Sequence, residues 1–192
     1  MSNIKSFISI ASIIIFICIY VGSNQSTEGK SSISVTATER GRVLTPVPDN
    51  RSQIQQSKKI EDERHARVQN LRTFLQAKNS PLMESAESFI EVASKYGLDW
   101  TLLPAIAGVE SGFEKAGNTS DYNPFGYMCP GAPCVFDSYE QAIERVARTI
   151  ATGRAYKRYQ ETRSIAVLAE IYNQASPDDW TWKIKSFQEK IR

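Results

Sequence analysis

Helix-start signals recur so closely along the second half of the chain that they leave almost no room for strands. Ser80-Pro81 is an N-cap followed by proline at the first helical position, where the missing N–H costs nothing. Asp99 or Thr101 can cap the next helix, and a start after Thr101 places Pro104 within the first turn. Ser138-Tyr-Glu-Gln141 reads as a capping box, and Ser164 precedes another apolar segment, Ile165–Tyr172. Ser176-Pro177-Asp178-Asp179 then sets two acids at the positive end of a helix dipole. Apolar spacing agrees with these starts. Phe89, Val92, Ala93 and Tyr96 form a stripe closed by Gly97. Ala142, Ile143, Val146, Ala147 and Ile150 form another, closed by Gly153, and Trp180, Ile184, Phe187 and Ile191 a third. Val135-Phe136 is the one candidate strand. The expected fold is mainly α: a small helical domain over residues 80–192 with at most a short β-hairpin.

The first 79 residues are different in kind. Residues 6–22 carry no charge and follow Lys5; at 1.5 Å per residue they span roughly 26 Å, close to a hydrocarbon core of ~30 Å. The run is longer and bulkier than the apolar region of a signal peptide. An uncleaved anchor over residues 1–22 is therefore expected, with the remainder outside the cytoplasm. Cleavage, which would release a secreted protein, is the alternative. Residues 23–50, rich in Ser, Thr and Gly, read as a flexible linker. Residues 51–79 read as a charged helical stem, with Val68, Leu71 and Leu75 on one stripe and Ile54 in phase. A solvated helix docking only its last turns fits that pattern best, and weak self-association through the stem is the competing reading.

Charge divides the same way. Eleven Lys/Arg stand against six Asp/Glu in residues 1–79, and twelve against fifteen in residues 80–192. No basic face with interleaved aromatics appears in the second half, which argues against nucleic acid as a partner. Cys129 and Cys134 bracket Pro-Gly-Ala-Pro, and outside the cytoplasm so close a pair is most simply a disulfide. The single histidine, His65, lies far from them, so no metal site and no cofactor are expected.

The acid that needs explaining is Glu110. With Leu102 at 0° and about 100° per residue, Val109 falls near 340°, Ile106 near 40°, Leu103 near 100° and Glu110 near 80°. The carboxylate lies within the apolar stripe, near the negative end of the helix, and both placements favour its protonated form. Such a group can serve as a general acid. A frayed end, with Glu110 reaching to water, is the bland alternative. Ser111-Gly112 ends the helix, and a polar loop with Asn118, Thr119, Ser120 and Asn123 follows. Phe125-Gly126-Tyr127 then offers an aromatic turn that could stack on sugar rings, which together with the acid suits a glycosidic bond.

Residues 102–128 resemble the lysozyme-like superfamily, in particular the catalytic domain of soluble lytic transglycosylases and related bacterial glucosaminidases. In that family a helix like LLPAIAGVESGF ends in Glu-Ser, and the Glu is the catalytic acid/base. The resemblance gives that role to Glu110, with Ser111 beside it. Ser120 and Gly126-Tyr127-Met128 look like the family's Ser followed by Gly-Leu-Met-Gln, and the wording Asn123-Pro-Phe-Gly looks closer to the glucosaminidase branch. Tyr172-Asn173 looks like its later Tyr-Asn motif, in which the tyrosine hydroxyl orients the acid. By the same likeness Ser111, Ser120, Asn123, Gly126, Tyr127, Tyr172 and Asn173 would contact substrate. Cys129 stands where the transglycosylase branch usually has Gln, and the loop to Cys134 looks like an insertion.

The resemblance implies a peptidoglycan glycosidase that cuts the β-1,4 bond between N-acetylmuramic acid and N-acetylglucosamine. A lytic transglycosylase needs only Glu110. A hydrolytic glucosaminidase or muramidase needs a second carboxylate, for which Glu114, Asp121 and Asp137 are the candidates. None stands out from ordinary loop and cap acids, which favours the transglycosylase. Trp180 and Trp182 read as core and surface. A membrane-anchored, non-catalytic wall-binding scaffold on the same fold is the alternative from another class.

Overall fold

The computed structural model describes residues 50–114 and 121–192. The expected anchor, the linker up to residue 49 and Ser120 lie outside the described residues. Those described are mainly helical, with one two-stranded antiparallel hairpin. No described helix is long and apolar enough to cross a membrane.

The chain enters through α1 (Asn50–Ala77) and a 3-10 turn at Pro81–Ser85, then passes through α2 (Ala86–Lys95) and α3 (Leu102–Ser111). Strands β1 (Met128–Cys129) and β2 (Ala132–Pro133) follow. The rest comprises α4 (Tyr139–Thr152), a 3-10 turn at Arg154–Tyr156, α5 (Lys157–Thr162), α6 (Ile165–Tyr172) and α7 (Pro177–Ile191). The start signals act largely as read. Ser80 accepts the Leu82 N–H, and Ser138 accepts the Gln141 N–H. The capping box at Ser138 is only half closed, because the Gln141 side chain accepts from Asp137 N–H at 2.9 Å instead of from Ser138. Ser164 and Ser176 occupy cap positions without a side-chain cap bond.

One core joins nearly all of these elements, and α3 lies at its centre. Leu102 through Gly108 are all buried, so this helix has no solvent face over most of its length. A helix apolar all round must be covered on every side, and α7 packs along α3 while α6 packs along α7. Val68, Leu71 and Leu75 bring the last turns of α1 into the same core, whereas Ile54 and Ile60 are more than 60% exposed. The helix docks by its C-terminal third, and residues 51–63 stand in solvent.

The strand expected at Val135-Phe136 is not there. The hairpin forms earlier, with Met128 opposite Pro133 and Cys129 opposite Ala132, and the Cys129–Cys134 disulfide closes it. Gly131, at φ +85°, makes the tight reversal that this short pairing requires. Val135 is three-quarters exposed, and the backbone N–H of Phe136 bonds to the Asp121 carbonyl. Two β-favouring residues are not enough for a strand when the disulfide has already fixed the pairing one turn upstream.

Candidate active site

The site begins where α3 leaves the core. Residues up to Gly108 are fully enclosed, Val109 and Glu110 are half-buried, and Gly112 at φ +61° ends the helix in the left-handed conformation that favours glycine. The half-burial of Glu110 thus reflects its position along the axis more than its angle around it. The next two residues also take left-handed angles, Phe113 at φ +65° and Glu114 at φ +57°. Non-glycine residues held there cost on the order of 1–3 kcal/mol each, so surrounding contacts must hold the turn. Those contacts are present. The Phe113 ring packs edge-on between Phe74 and Phe187 at centroid distances of 5.4 and 5.0 Å. It lies so close over Gly108 that a Cβ there would sit 2.3 Å from the ring. Ser80 donates its hydroxyl to the Phe113 carbonyl at 2.7 Å.

Glu110 faces α7 and α6. The indole N–H of Trp180, in the first turns of α7, donates to Oε1 of Glu110 at 2.8 Å. Trp180 is itself buried, and its ring stacks on Tyr172 with centroids 5.2 Å apart and planes 26° apart. Burial pushes the Glu110 carboxyl above its ordinary value; the Trp180 hydrogen bond and the positive charge of Lys183 oppose that without cancelling it. Tyr172 is held well above the usual phenol range, first by burial and then by the charge of Glu110, so it remains a neutral phenol. The hydrogen bond described on the Glu110 carboxyl therefore comes from an indole, and Tyr172 supports that indole through its ring. The sequence assigned Trp180 to core packing alone. A buried indole needs an acceptor for its N–H, and that requirement was the available signal.

A second polar cluster lies on the other side of the turn. Glu114 is buried, and desolvation followed by the nearby charge of Asp121 raises its carboxyl. Tyr139, at the start of α4, is pushed up to about 12 by burial, then by Glu114, Tyr122 and Asp121. Its hydroxyl is buried and has no hydrogen-bond partner among the described residues. Glu114 is thus an enclosed acid and not the exposed loop acid that its sequence context indicates. Asp137 is exposed and accepts from the Gln141 side chain, a cap contact.

The remaining candidates are placed as follows. Ser111 donates to the Ala107 carbonyl and accepts from the Glu114 N–H, which ties its hydroxyl into the turn. Asn123 is buried and latches the hairpin. Its Nδ2 donates to the carbonyls of Tyr127 and Cys134 at 2.9 and 3.0 Å, and its Oδ1 accepts the Tyr127 N–H at 2.8 Å. Gly126 is exposed at φ +58°. The aromatic turn expected to present rings to sugar does not do so. Phe125 is fully buried against Phe89, and Tyr127 is buried beside Phe136, its hydroxyl 3.1 Å from that of Thr149. Apolar rings flanking a turn were better used to seal it to the core than to line a cleft. Asn173 caps the end of α6, and its Oδ1 accepts from Ser176 N–H. Of the described candidates beyond α3, Tyr172 is the one linked to Glu110, through the Trp180 ring it stacks on and through the charge it feels.

Comparison with protein-family models, with curated proteins and with solved structures finds no match.

Proposed function

We propose that the chain is a peptidoglycan glycosidase of lysozyme-like fold, acting on the bond between N-acetylmuramic acid and N-acetylglucosamine with Glu110 as general acid and then base. The observation that carries the reading is the Glu110 carboxyl itself. It stands half-buried where a central helix emerges, its pKa is raised by desolvation, and one of its oxygens is held by a neutral N–H. A carboxyl whose protonated form is favoured by desolvation while its orientation is fixed is suited to protonating a leaving glycosidic oxygen.

In the transglycosylase form, Glu110 gives its proton to that oxygen as the C1–O bond breaks. The resulting carboxylate takes the proton of the muramic C6 hydroxyl, whose oxygen bonds to C1 and closes an anhydro ring. No water and no second carboxylate enter the balance. The buried acid Glu114 supports a second reading, hydrolysis, in which a second carboxylate activates water or attacks C1. In either form the N-terminal 22 residues would anchor the enzyme in the cell membrane, with glycan strands as the partner of the extracytoplasmic domain.

Incubation of the full chain with purified peptidoglycan, followed by mass spectrometry of the released muropeptides, tests both forms. Anhydro ends are expected. Ends carrying a full water would replace the transglycosylase by the hydrolase. A wild type that releases nothing, or a Glu110→Gln variant as active as the wild type, would overturn the assignment.

A further inference from the structure

We infer that Trp180 is a positioning residue for Glu110, fixing which carboxyl oxygen carries the transferable proton. The inference rests on the proposed role of Glu110 and deepens it. Indole N–H is a donor only; it can neither accept a proton nor reverse its hydrogen bond. The carbonyl oxygen of a protonated carboxyl accepts far better than its hydroxyl oxygen, so Oε1, 2.8 Å from the indole nitrogen, is the favoured acceptor in both charge states. The acidic proton then belongs on Oε2. A hydroxyl partner could donate or accept and would leave both proton placements open.

The support behind Trp180 is rigid. The residue is 1% exposed and packed into the core. Its ring lies against Tyr172 at the end of α6, and α7 packs along α3, so the donor and acceptor sit on two helices in direct contact. The charged and titratable groups that bear on Glu110 are Lys183 on α7, paired with Asp179 at 2.6 Å, and Tyr172 on α6. Neither supplies the described hydrogen bond. Lys183 is close to half exposed, so solvent screens its effect, whereas the indole that donates to Glu110 is buried. After proton donation the same N–H stabilises the new carboxylate, since hydrogen bonds to an ionised acceptor are stronger than neutral ones. Removing it should therefore lower the rate and raise the affinity of Glu110 for its proton.

The test uses the full chain, with Trp180→Phe to retain an aromatic ring and 3-benzothienylalanine at position 180 to retain the whole shape with sulfur in place of N–H. The second replacement decides where the first lowers the folded fraction. Two measurements are made: the pH profile of kcat/KM on glycan strands, and the 13C titration of the Glu110 carboxyl, assigned by its loss in Glu110→Gln. Both replacements are expected to lower kcat/KM about 10- to 100-fold, as displaced catalytic groups do. The alkaline limb of the profile and the carboxyl titration should move together to higher pH. A purely structural role would lower the folded fraction and leave the titration where it was; an unmoved titration in the benzothienyl protein overturns the inference. If the wild type cleaves nothing, the proposed function fails, and the titration still decides the Trp180 contact.

Discussion

Glu110 and Glu114 are four residues apart, and burial raises both, yet the structure answers them differently. Glu110 has a neutral donor on one oxygen and a cation in reach, so burial is partly offset. Among the described residues Glu114 has no such offset: a second acid, Asp121, adds to the effect of burial. The Tyr139 hydroxyl, without a hydrogen-bond partner among the described residues, is influenced by the same pair of acids. The first arrangement orients a carboxyl through both protonation states. The second favours protonation without defining direction. On this basis Glu110 is the better candidate for the proposed general acid, and Glu114 the candidate for a second carboxylate.

The largest effect that separates the two is on activity. Glu110→Gln should reduce muropeptide release by about 10²- to 10⁴-fold, the usual contribution of a general acid. Glu114→Gln should stay within about tenfold of wild type if the enzyme is a transglycosylase. Equal losses in both variants would erase the distinction and favour hydrolysis with two carboxylates.

Gly108→Ala strikes the packing under Phe113, which holds the turn between the two acids. The new methyl would meet the Phe113 ring at 2.3 Å, and Phe74 and Phe187 leave that ring little freedom to yield. Overpacking of this kind costs about 1–3 kcal/mol. Urea denaturation should show that loss. Activity should fall further than the folded fraction does, because a displaced Phe113 also shifts the turn after Glu110. Retention of full activity per folded molecule would mean that the left-handed turn does not set the position of Glu110.

The disulfide lies on one side of the comparison only. It closes the hairpin that Asn123 latches, and the Phe136 N–H ties that region to Asp121. Replacing Cys129 and Cys134 together by Ser should cost roughly 2 kcal/mol by the loop-entropy argument. The Glu110–Trp180 pair should be unaffected, so cleavage per folded molecule should hold while Tm falls. A matching loss of cleavage would show that the hairpin contributes to the substrate site.

These contrasts also mark what the sequence could and could not show. Periodicity identified the buried face of α4 at Ala142, Ile143, Val146, Ala147 and Ile150, every one enclosed, and the docked end of α1 at Val68, Leu71 and Leu75. Spacing reports which side of a helix is apolar, and caps report where it starts; both are local. Depth is not local. In α3 the uninterrupted apolar run 102–109 already implies enclosure on all sides, but an angle around the helix does not weigh it, and it is the place of Glu110 along the axis that decides its burial. The left-handed Phe113 and Glu114 escaped notice because neither residue type favours that conformation; packing by Phe74 and Phe187 imposes it. The aromatic turn at Phe125 and Tyr127 was misplaced for a related reason, since composition does not distinguish a ring that lines a cleft from one that seals a loop.

The smallest effect is on stability against pH, and its sign follows from the shifts. An acid whose pKa is raised in the folded state contributes stability that is fully present below its unfolded value, near 4.3 for Glu, and lost as pH rises through the folded value. Glu110 and Glu114 should both destabilise the fold as the solution goes from about pH 4 toward neutral. Glutamine in either place removes that loss. Each variant should therefore gain stability relative to wild type at pH 7.5 and little at pH 4, measured by urea denaturation at both values. The difference form matters, because Asp99, Glu140 and Glu144 are lowered in the fold and act in the opposite direction in every variant alike. Asp121→Asn then separates the two acids. It removes the charge that raises Glu114, so it should shrink the gain from Glu114→Gln while leaving the gain from Glu110→Gln unchanged. If Asp121→Asn altered both gains equally, the two clusters would be one electrostatic unit, and the separate roles assigned to Glu110 and Glu114 would not stand.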